Sequence, residues 1–167
     1  MGETDPRLVQ IYNLMEQDQY TQALRLLEAF KSEEYPNQRF PYELDIGYAY
    51  ASAPIGTRDY PRAIKSFEFV LATPGYSQPE KDKARQAIRT IAIDEACMDI
   101  YDSYEESGSA VALAKAEKYS AEYPHEWSIQ LAHAEMLSSD GQPRRALPIL
   151  AELKAQRQGE GYFPAES

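Results

Sequence analysis

Apolar side chains recur along the chain at spacings of three and four residues, and short polar or Gly/Pro-containing segments interrupt them. Residues three and four apart share one face of a helix, so this spacing is typical of amphipathic helices. The alternation expected of half-buried strands is scarce. The pattern predicts eight helices, over about residues 6–17, 20–32, 41–53, 60–71, 79–105, 110–122, 127–137 and 143–156.

Local signals support several of these helix ends. Asp5 fits an N-cap, and Pro6 fits the first helical position after it. Ser77 and Glu80 have the spacing of a capping box, in which each side chain bonds the other residue's backbone N–H. Residues 52–58 contain both Pro and Gly, which predicts a loop.

The apolar residues at helical spacing are expected to face neighbouring helices. In the second half of the fifth helix this stripe comprises Ala96, Ile100, Tyr101 and Tyr104. In the eighth helix it comprises Ala146, Leu147, Leu150 and Leu153.

The helices also repeat in pairs, each with a short polar turn and a small alanine near the start of its second helix. Residues 17–24 align with residues 57–64, and residues 139–147 show the same pattern of a polar turn followed by an alanine near the helix start. The aligned alanines are Ala23, Ala63, Ala112 and Ala146, with separations of 40, 49 and 34 residues. A small side chain at this position lets the two helices approach closely. The arrangement resembles the tetratricopeptide repeat, a helix–turn–helix unit of about 34 residues.

The resemblance implies an all-α fold, a right-handed α–α superhelix of about four antiparallel helix pairs with a long fifth helix. The pairs would cover about residues 6–34, 41–72, 79–122 and 127–156, in a repeat domain over residues 1–158 with a C-terminal tail over 159–167. Ile46, Gly47 and Tyr50 resemble the family's first-helix signature of a large apolar, a small and an aromatic residue. The third pair matches weakly, and two of the three separations depart from the family period. An irregular helical bundle is therefore the alternative.

Composition and charge narrow the classes of partner. The formal net charge of −10 would repel phosphate backbones and anionic membranes, so no nucleic acid partner is expected. No apolar run approaches the roughly 20 residues of a membrane span, so no direct membrane insertion is expected. The single cysteine, Cys97, excludes an intrachain disulfide. Localisation is left open: cytoplasmic if the chain is complete, periplasmic if it is an excised segment of an envelope protein.

The usual catalytic and metal-binding patterns are missing from the sequence. The two histidines, His125 and His133, are eight residues apart, and no Cys/His cluster, Walker loop or nucleophile elbow occurs. An acidic stretch over residues 94–106 indicates a solvated helix face or a contact for a basic partner. We therefore expect no enzyme activity, no cofactor and no metal site.

In the family that the chain resembles, the first helix of each pair lines a concave groove that binds peptides or proteins. Alignment on the four alanines carries this groove over to Leu8, Tyr12, Met15, Glu16, Leu44, Tyr48, Tyr101, Tyr104, Glu105, Leu131 and Glu135. A tyrosine-lined groove with acidic edges suits an apolar or basic peptide. The alternative is that some of these tyrosines pack against the second helices. The Lys, Arg and Asn clamp by which some family members bind chaperone C-termini has no counterpart at the matching positions.

The resemblance implies a non-catalytic protein–protein interaction scaffold. It would be a segment of a larger bacterial repeat protein, such as a component of envelope assembly or exopolysaccharide secretion. The alternative is a small acidic secretion chaperone resembling the tetratricopeptide-repeat chaperones of type III secretion. Self-association stays open, since the end of a repeat stack exposes apolar surface unless it is capped.

Overall fold

A computed structural model describes residues 4–54 and 58–159, with side chains as far as Arg157. The described residues form eight helices and no strand, so the all-α prediction is confirmed. The helices are α1 (Pro6–Glu16), α2 (Tyr20–Glu34), α3 (Glu43–Ser52), α4 (Tyr60–Ala72), α5 (Gln78–Ser107), α6 (Ser109–Glu122), α7 (Trp127–Ser139) and α8 (Pro143–Gly159). Residues 55–57 of the loop predicted over residues 52–58, and residues 160–167 of the predicted tail, lie outside the described residues.

The predicted caps occur at the helix starts. Asp5 Oδ1 accepts from the backbone N–H of Arg7 at 2.9 Å, so it caps α1 as expected. The Ser77 and Glu80 pair forms the reciprocal capping box: Glu80 Oε2 accepts from the Ser77 N–H at 2.7 Å, and Ser77 Oγ accepts from the Glu80 N–H at 3.3 Å. These bonds satisfy backbone donors that have no partner within the helix. Because such signals are local in sequence, predicted and observed helix ends differ by no more than three residues.

The chain divides into two compact units, Met1–Ile91 (unit 1) and Ala92–Ser167 (unit 2), and helix α5 runs through the boundary. In unit 1, neighbouring helices pack in the order α1 on α2, α2 on α3 and α3 on α4. In unit 2, α6 packs on α7 and α7 on α8. None of the described helices combines the length and apolar character needed to cross a membrane.

Helices α3 and α4 approach each other closely in the core of unit 1. A Cβ atom added at Gly47 of α3 would come within 2.7 Å of the Phe67 ring of α4. Phe67 is fully buried, as is Ala63 one turn before it. The lack of side-chain atoms at Gly47 and the small side chain of Ala63 therefore let the two helices pack closely, as the sequence pattern predicts at this pair.

Tyr76 holds the connection between α2 and α3 in place. Its hydroxyl donates to the carbonyl oxygen of Phe40 at 2.8 Å and accepts from the Phe40 N–H at 3.1 Å. Burial raises the pKa of Tyr76 to about 12, so the hydroxyl stays protonated and able to donate. Both backbone groups of a buried, non-helical residue are thereby satisfied by one side chain.

An ion pair between a half-buried lysine and a buried glutamate also lies in unit 1. Lys31 Nζ on α2 is 2.7 Å from Glu43 Oε2 on α3, and the Glu43 side chain is only 3% exposed. The same ammonium group lies 4.3 Å from the centre of the Phe69 ring. This pair has no signal in the sequence, because lysine and glutamate on amphipathic helices normally lie on the solvent face.

In unit 2, small residues of α6 and α7 surround Ile100 of α5. The buried set comprises Ile100, Ala112, Leu113, Ala116, Ala132, Ala134, Met136, Leu137 and Ala146. Asp99, the neighbour of Ile100, accepts from Lys115 Nζ and from the Tyr119 hydroxyl, both at 2.7 Å. The acidic stretch predicted on α5 is otherwise exposed at Asp94, Glu95, Asp102, Glu105 and Glu106.

The predicted inward stripes of α5 and α8 are partly wrong. On α8, Ala146 and Leu153 are buried, but Leu147 is 63% and Leu150 is 39% exposed. Helix α8 packs on α7 through one side, and no further helix follows it among the described residues to cover the other. On α5, Ala96 and Ile100 are buried, whereas Tyr101 and Tyr104 reach solvent.

His133 on α7 has an unusual environment for a histidine. Within the described part of the chain, its two buried ring nitrogens have no hydrogen-bond partner. Burial lowers the pKa of His133; Arg145 on α8 lowers it further, and Glu117 on α6 opposes the shift. The neutral imidazole is therefore the form that the folded state favours.

We expect acid to destabilise the protein through His133. Its pKa in the folded state lies below the ordinary value of 6.5, so unfolding takes up a proton as the pH falls through that range. The stabilising contribution is complete above about pH 6.5 and is lost as the pH falls toward the folded-state pKa. Urea denaturation at a series of pH values should give a flatter profile for His133→Gln than for the wild type. The exposed His125 supplies the control: a His125→Gln variant that flattens the profile equally would contradict the assignment.

Candidate functional site

Three helices of unit 2 form an open cleft. Tyr101 and Tyr104 lie three residues apart on α5, so their rings share one face of that helix. Glu135 and its neighbours on α7 also line the cleft, as does Leu150 of α8. The cleft has a volume of about 420 Å³. Its described lining comprises Tyr101, Tyr104, Ala134, Glu135, Met136, Ser138, Ser139 and Leu150.

A short hydrogen bond joins α5 and α7. The Tyr101 hydroxyl donates to Glu135 Oε2 at 2.6 Å. Burial and the adjacent carboxylate raise the pKa of Tyr101, so the phenol keeps the proton that it donates. The bond restricts the orientation of the Glu135 carboxylate and leaves its other oxygen available to a further donor.

The described lining of the cleft combines apolar surface with one carboxylate, that of Glu135. Tyr101, Tyr104 and Leu150 are 38%, 43% and 39% exposed, so their apolar surfaces remain available for contact. Glu135 is the one ionisable acidic side chain among the described residues of the lining, and no lysine or arginine is among them. Such a surface suits an apolar or cationic group rather than an anion.

The structure thus brings together Tyr101, Tyr104 and Glu135 of the predicted groove. Glu105 is exposed on α5, and Leu131 is half-buried on α7. Neither of these two lines the cleft.

The groove residues predicted in unit 1 have different environments. Leu8 is buried in the core, whereas Met15 and Leu44 are half-buried against it, and Glu16 is exposed. Whether these residues contact a partner stays a prediction, as does a continuous groove over both units.

The two predicted groove tyrosines of unit 1 make contacts within that unit. The Tyr12 hydroxyl donates to Asp45 Oδ2 at 3.1 Å, and burial and this carboxylate raise the pKa of Tyr12. Tyr48 is 40% exposed, with its ring edge-on to Phe67 at 5.2 Å between centroids. Tyr48 therefore packs against a second helix, α4, which is the alternative that the sequence leaves open, whereas Tyr12 contacts a first helix, α3.

Sequence reasoning missed part of the cleft. The hydrophobic pattern places Leu150 in the core of α8 and gives Met136 and Ser139 no distinct role, although all three line the cleft. The spacing of apolar residues does not reveal the exposure of Leu150, because Leu150 lies four residues after the buried Ala146 and so on nearly the same side of the helix.

Metal binding finds no support in the geometry. Within residues 4–54 and 58–159, no three His, Cys, Asp or Glu side chains are grouped so that they could hold a metal ion. Cys97 is half-buried, and burial raises the pKa of its thiol, which disfavours the reactive thiolate.

Comparisons of the chain with protein-family models, with curated proteins and with solved structures give no match.

Proposed function

We propose that the chain is a non-catalytic, tetratricopeptide-like helical-repeat protein, and that the cleft of unit 2 binds a partner peptide through a basic side chain flanked by apolar residues. The observation that carries this proposal is the lining of the cleft, in which two tyrosine rings and one carboxylate meet with no basic side chain among the described residues.

The repeat interpretation rests on the aligned alanines. Ala23, Ala63 and Ala112 are fully buried, and Ala146 is 1% exposed. Equivalent burial at all four aligned positions supports a common helix-pair unit. The superhelix that the resemblance implies stays a prediction.

Three features of the protein would attract a basic side chain: the tyrosine rings, the Glu135 carboxylate and the net negative charge. Tyrosine rings attract cations over their faces, with a contribution of about 0.5–1 kcal/mol at exposed sites. Glu135 offers the carboxylate oxygen that Tyr101 does not use. The net charge of −10 attracts a basic partner at longer range, and salt would weaken that attraction.

We expect Tyr101→Ala to weaken peptide binding at least about tenfold. The substitution removes an aromatic wall and frees the Glu135 carboxylate to move, and truncating a tyrosine that acts as a binding hot spot costs about 2 kcal/mol or more. The measurement is fluorescence anisotropy with a labelled Ala-Leu-Lys-Leu-Ala peptide, compared with the same peptide carrying Glu in place of Lys. The Lys peptide should bind more tightly than the Glu peptide.

Two further variants separate charge from packing. Glu135→Gln should reduce the preference for the Lys peptide, whereas Glu106→Gln, an exposed position of α5 outside the cleft lining, should leave it unchanged. Equal binding of the Lys and Glu peptides, or equal effects of both Gln variants, would contradict the proposal. Tyr48→Ala tests whether the binding surface includes unit 1, where the sequence predicts weaker binding for this variant as well.

A further inference from the structure

Helix α8 carries apolar residues on two of its sides. One side is buried through Ala146 and Leu153, where α8 packs on α7. On another side, Leu147 is 63% exposed, and Ala151, one turn further along, is exposed as well. Apolar surface on more than one side is typical of helices that neighbours cover on more than one side. The exposed apolar side of α8 is therefore a candidate contact surface.

Basic residues stand at both ends of this exposed side. Arg144 and Lys154 are exposed, and neither forms an ion pair with another described residue. Spacings of three, four and three residues place on one side of the helix a set that we call the α8 stripe: Arg144, Leu147, Ala151 and Lys154. The stripe is about 15 Å long, from the helical rise per residue. A matching partner surface needs an apolar centre between two acidic groups at a similar separation.

Helix α5 carries such a surface within the same unit. Met98 and Tyr101 are 44% and 38% exposed. Asp94 lies one turn before Met98, Glu105 lies one turn after Tyr101, and both are exposed. Spacings of four, three and four residues place these four side chains on one side of α5, over about 17 Å. This set, the α5 stripe, therefore matches the α8 stripe in length and carries the opposite charge at its ends.

We propose that the α8 stripe of one copy of this chain binds the α5 stripe of a second copy. Both stripes are exposed in the single chain, so they do not cover each other there. Two chains of net charge −10 repel each other at long range, but salt screens that repulsion beyond about 8–10 Å, and it screens opposite charges in contact much less. The contact would share Tyr101 with the cleft. Its test uses no peptide, so it stands or fails separately from the function proposed for the cleft.

Sedimentation equilibrium of the full chain measures the association. Two short stripes make a small interface, so we expect weak association, seen as a mass that rises above the monomer value at protein concentrations up to about 1 mM. Leu147→Gln should weaken it at least about tenfold, because it removes apolar surface from the centre of the contact. Leu147 is mostly exposed, so the fold loses little by this change. A wild-type chain that stays monomeric throughout, or a Leu147→Gln chain that associates equally well, would overturn the proposal.

Charge reversal tests whether the two stripes bind each other. Arg144→Glu combined with Lys154→Glu should weaken self-association at least about tenfold, because like charges then face each other across the contact. Asp94→Lys combined with Glu105→Lys should do the same for the opposite reason. An equimolar mixture of these two double variants should associate again, since the reversed α8 stripe of one then faces the reversed α5 stripe of the other.

The control for net charge is Lys65→Glu combined with Lys83→Glu. These two lysines are exposed in unit 1, and their reversal changes the net charge as much as reversal of the α8 stripe does. This variant should associate as the wild type does, and circular dichroism checks that every variant keeps its helices. An equal loss of association in the control, or a mixture of the two reversed variants that stays monomeric, would rule out pairing of these two stripes.

Discussion

Replacing Lys31 by methionine should lower the free energy of unfolding by up to about 3 kcal/mol, less than the roughly 3–5 kcal/mol found when one partner of a fully buried ion pair is removed, because the Lys31 side chain is 28% exposed. Methionine keeps much of the apolar stem but removes the ammonium group that lies 2.7 Å from Glu43 Oε2. The Glu43 carboxylate, 3% exposed, would then be a buried charge without a counter-ion. The contact of the ammonium with the Phe69 ring would be lost as well.

Urea denaturation followed by circular dichroism measures this loss, and hydrogen exchange of amides in unit 1 locates it. Lys65→Met is the matched control, because Lys65 lies exposed on α4 in the same unit. A double variant, Lys31→Met with Glu43→Met, removes both charges and should recover much of the stability. Similar urea midpoints for Lys31→Met and Lys65→Met would show that the pair contributes little.

The second large effect is expected for Ala63→Leu, at about 1–3 kcal/mol of destabilisation from overpacking. Ala63 is fully buried on α4, one turn before Phe67, whose ring already fills the space beside Gly47. A leucine adds three carbon atoms at a fully buried position, so the helices would have to separate or Phe67 would have to leave its position.

Thermal and urea denaturation measure the effect of Ala63→Leu, with Ala72→Leu as control. Ala72 is exposed at the end of the same helix, so the larger side chain meets solvent there. An unchanged melting temperature for Ala63→Leu would contradict both the tight crossing and the alignment of Ala63 with the repeat.

The helices could be predicted from the sequence because their signals are local. The capping box at Ser77 and Glu80 lies within four residues, and the pairing of Tyr101 with Tyr104 on one face follows from helical geometry alone. The position of Glu135 beside Tyr101 depends on the aligned repeat, since 34 residues separate the two side chains. The structure places them 2.6 Å apart.

Features that depend on tertiary packing were not predictable in the same way. A glutamate in a mixed helical pattern is assigned to solvent, so the burial of Glu43 opposite Lys31 had no sequence signal. The exposure of Leu147 could not be predicted for a different reason. Hydrophobic period shows which side of a helix is apolar, but it cannot show whether a neighbouring element covers the whole of that side.

The double hydrogen bond between Tyr76 and Phe40 bears on the order of folding events. The two residues are 36 positions apart, and all of α3 and α4 lies between them. The connection before α3 can therefore reach its final conformation only after the chain beyond α4 has returned to it. Contacts of such sequence separation slow folding, because the loop must close before the bonds form. Unit 1 would consequently fold as a single cooperative unit, whereas simple helical hairpins could form one after another from the N-terminus.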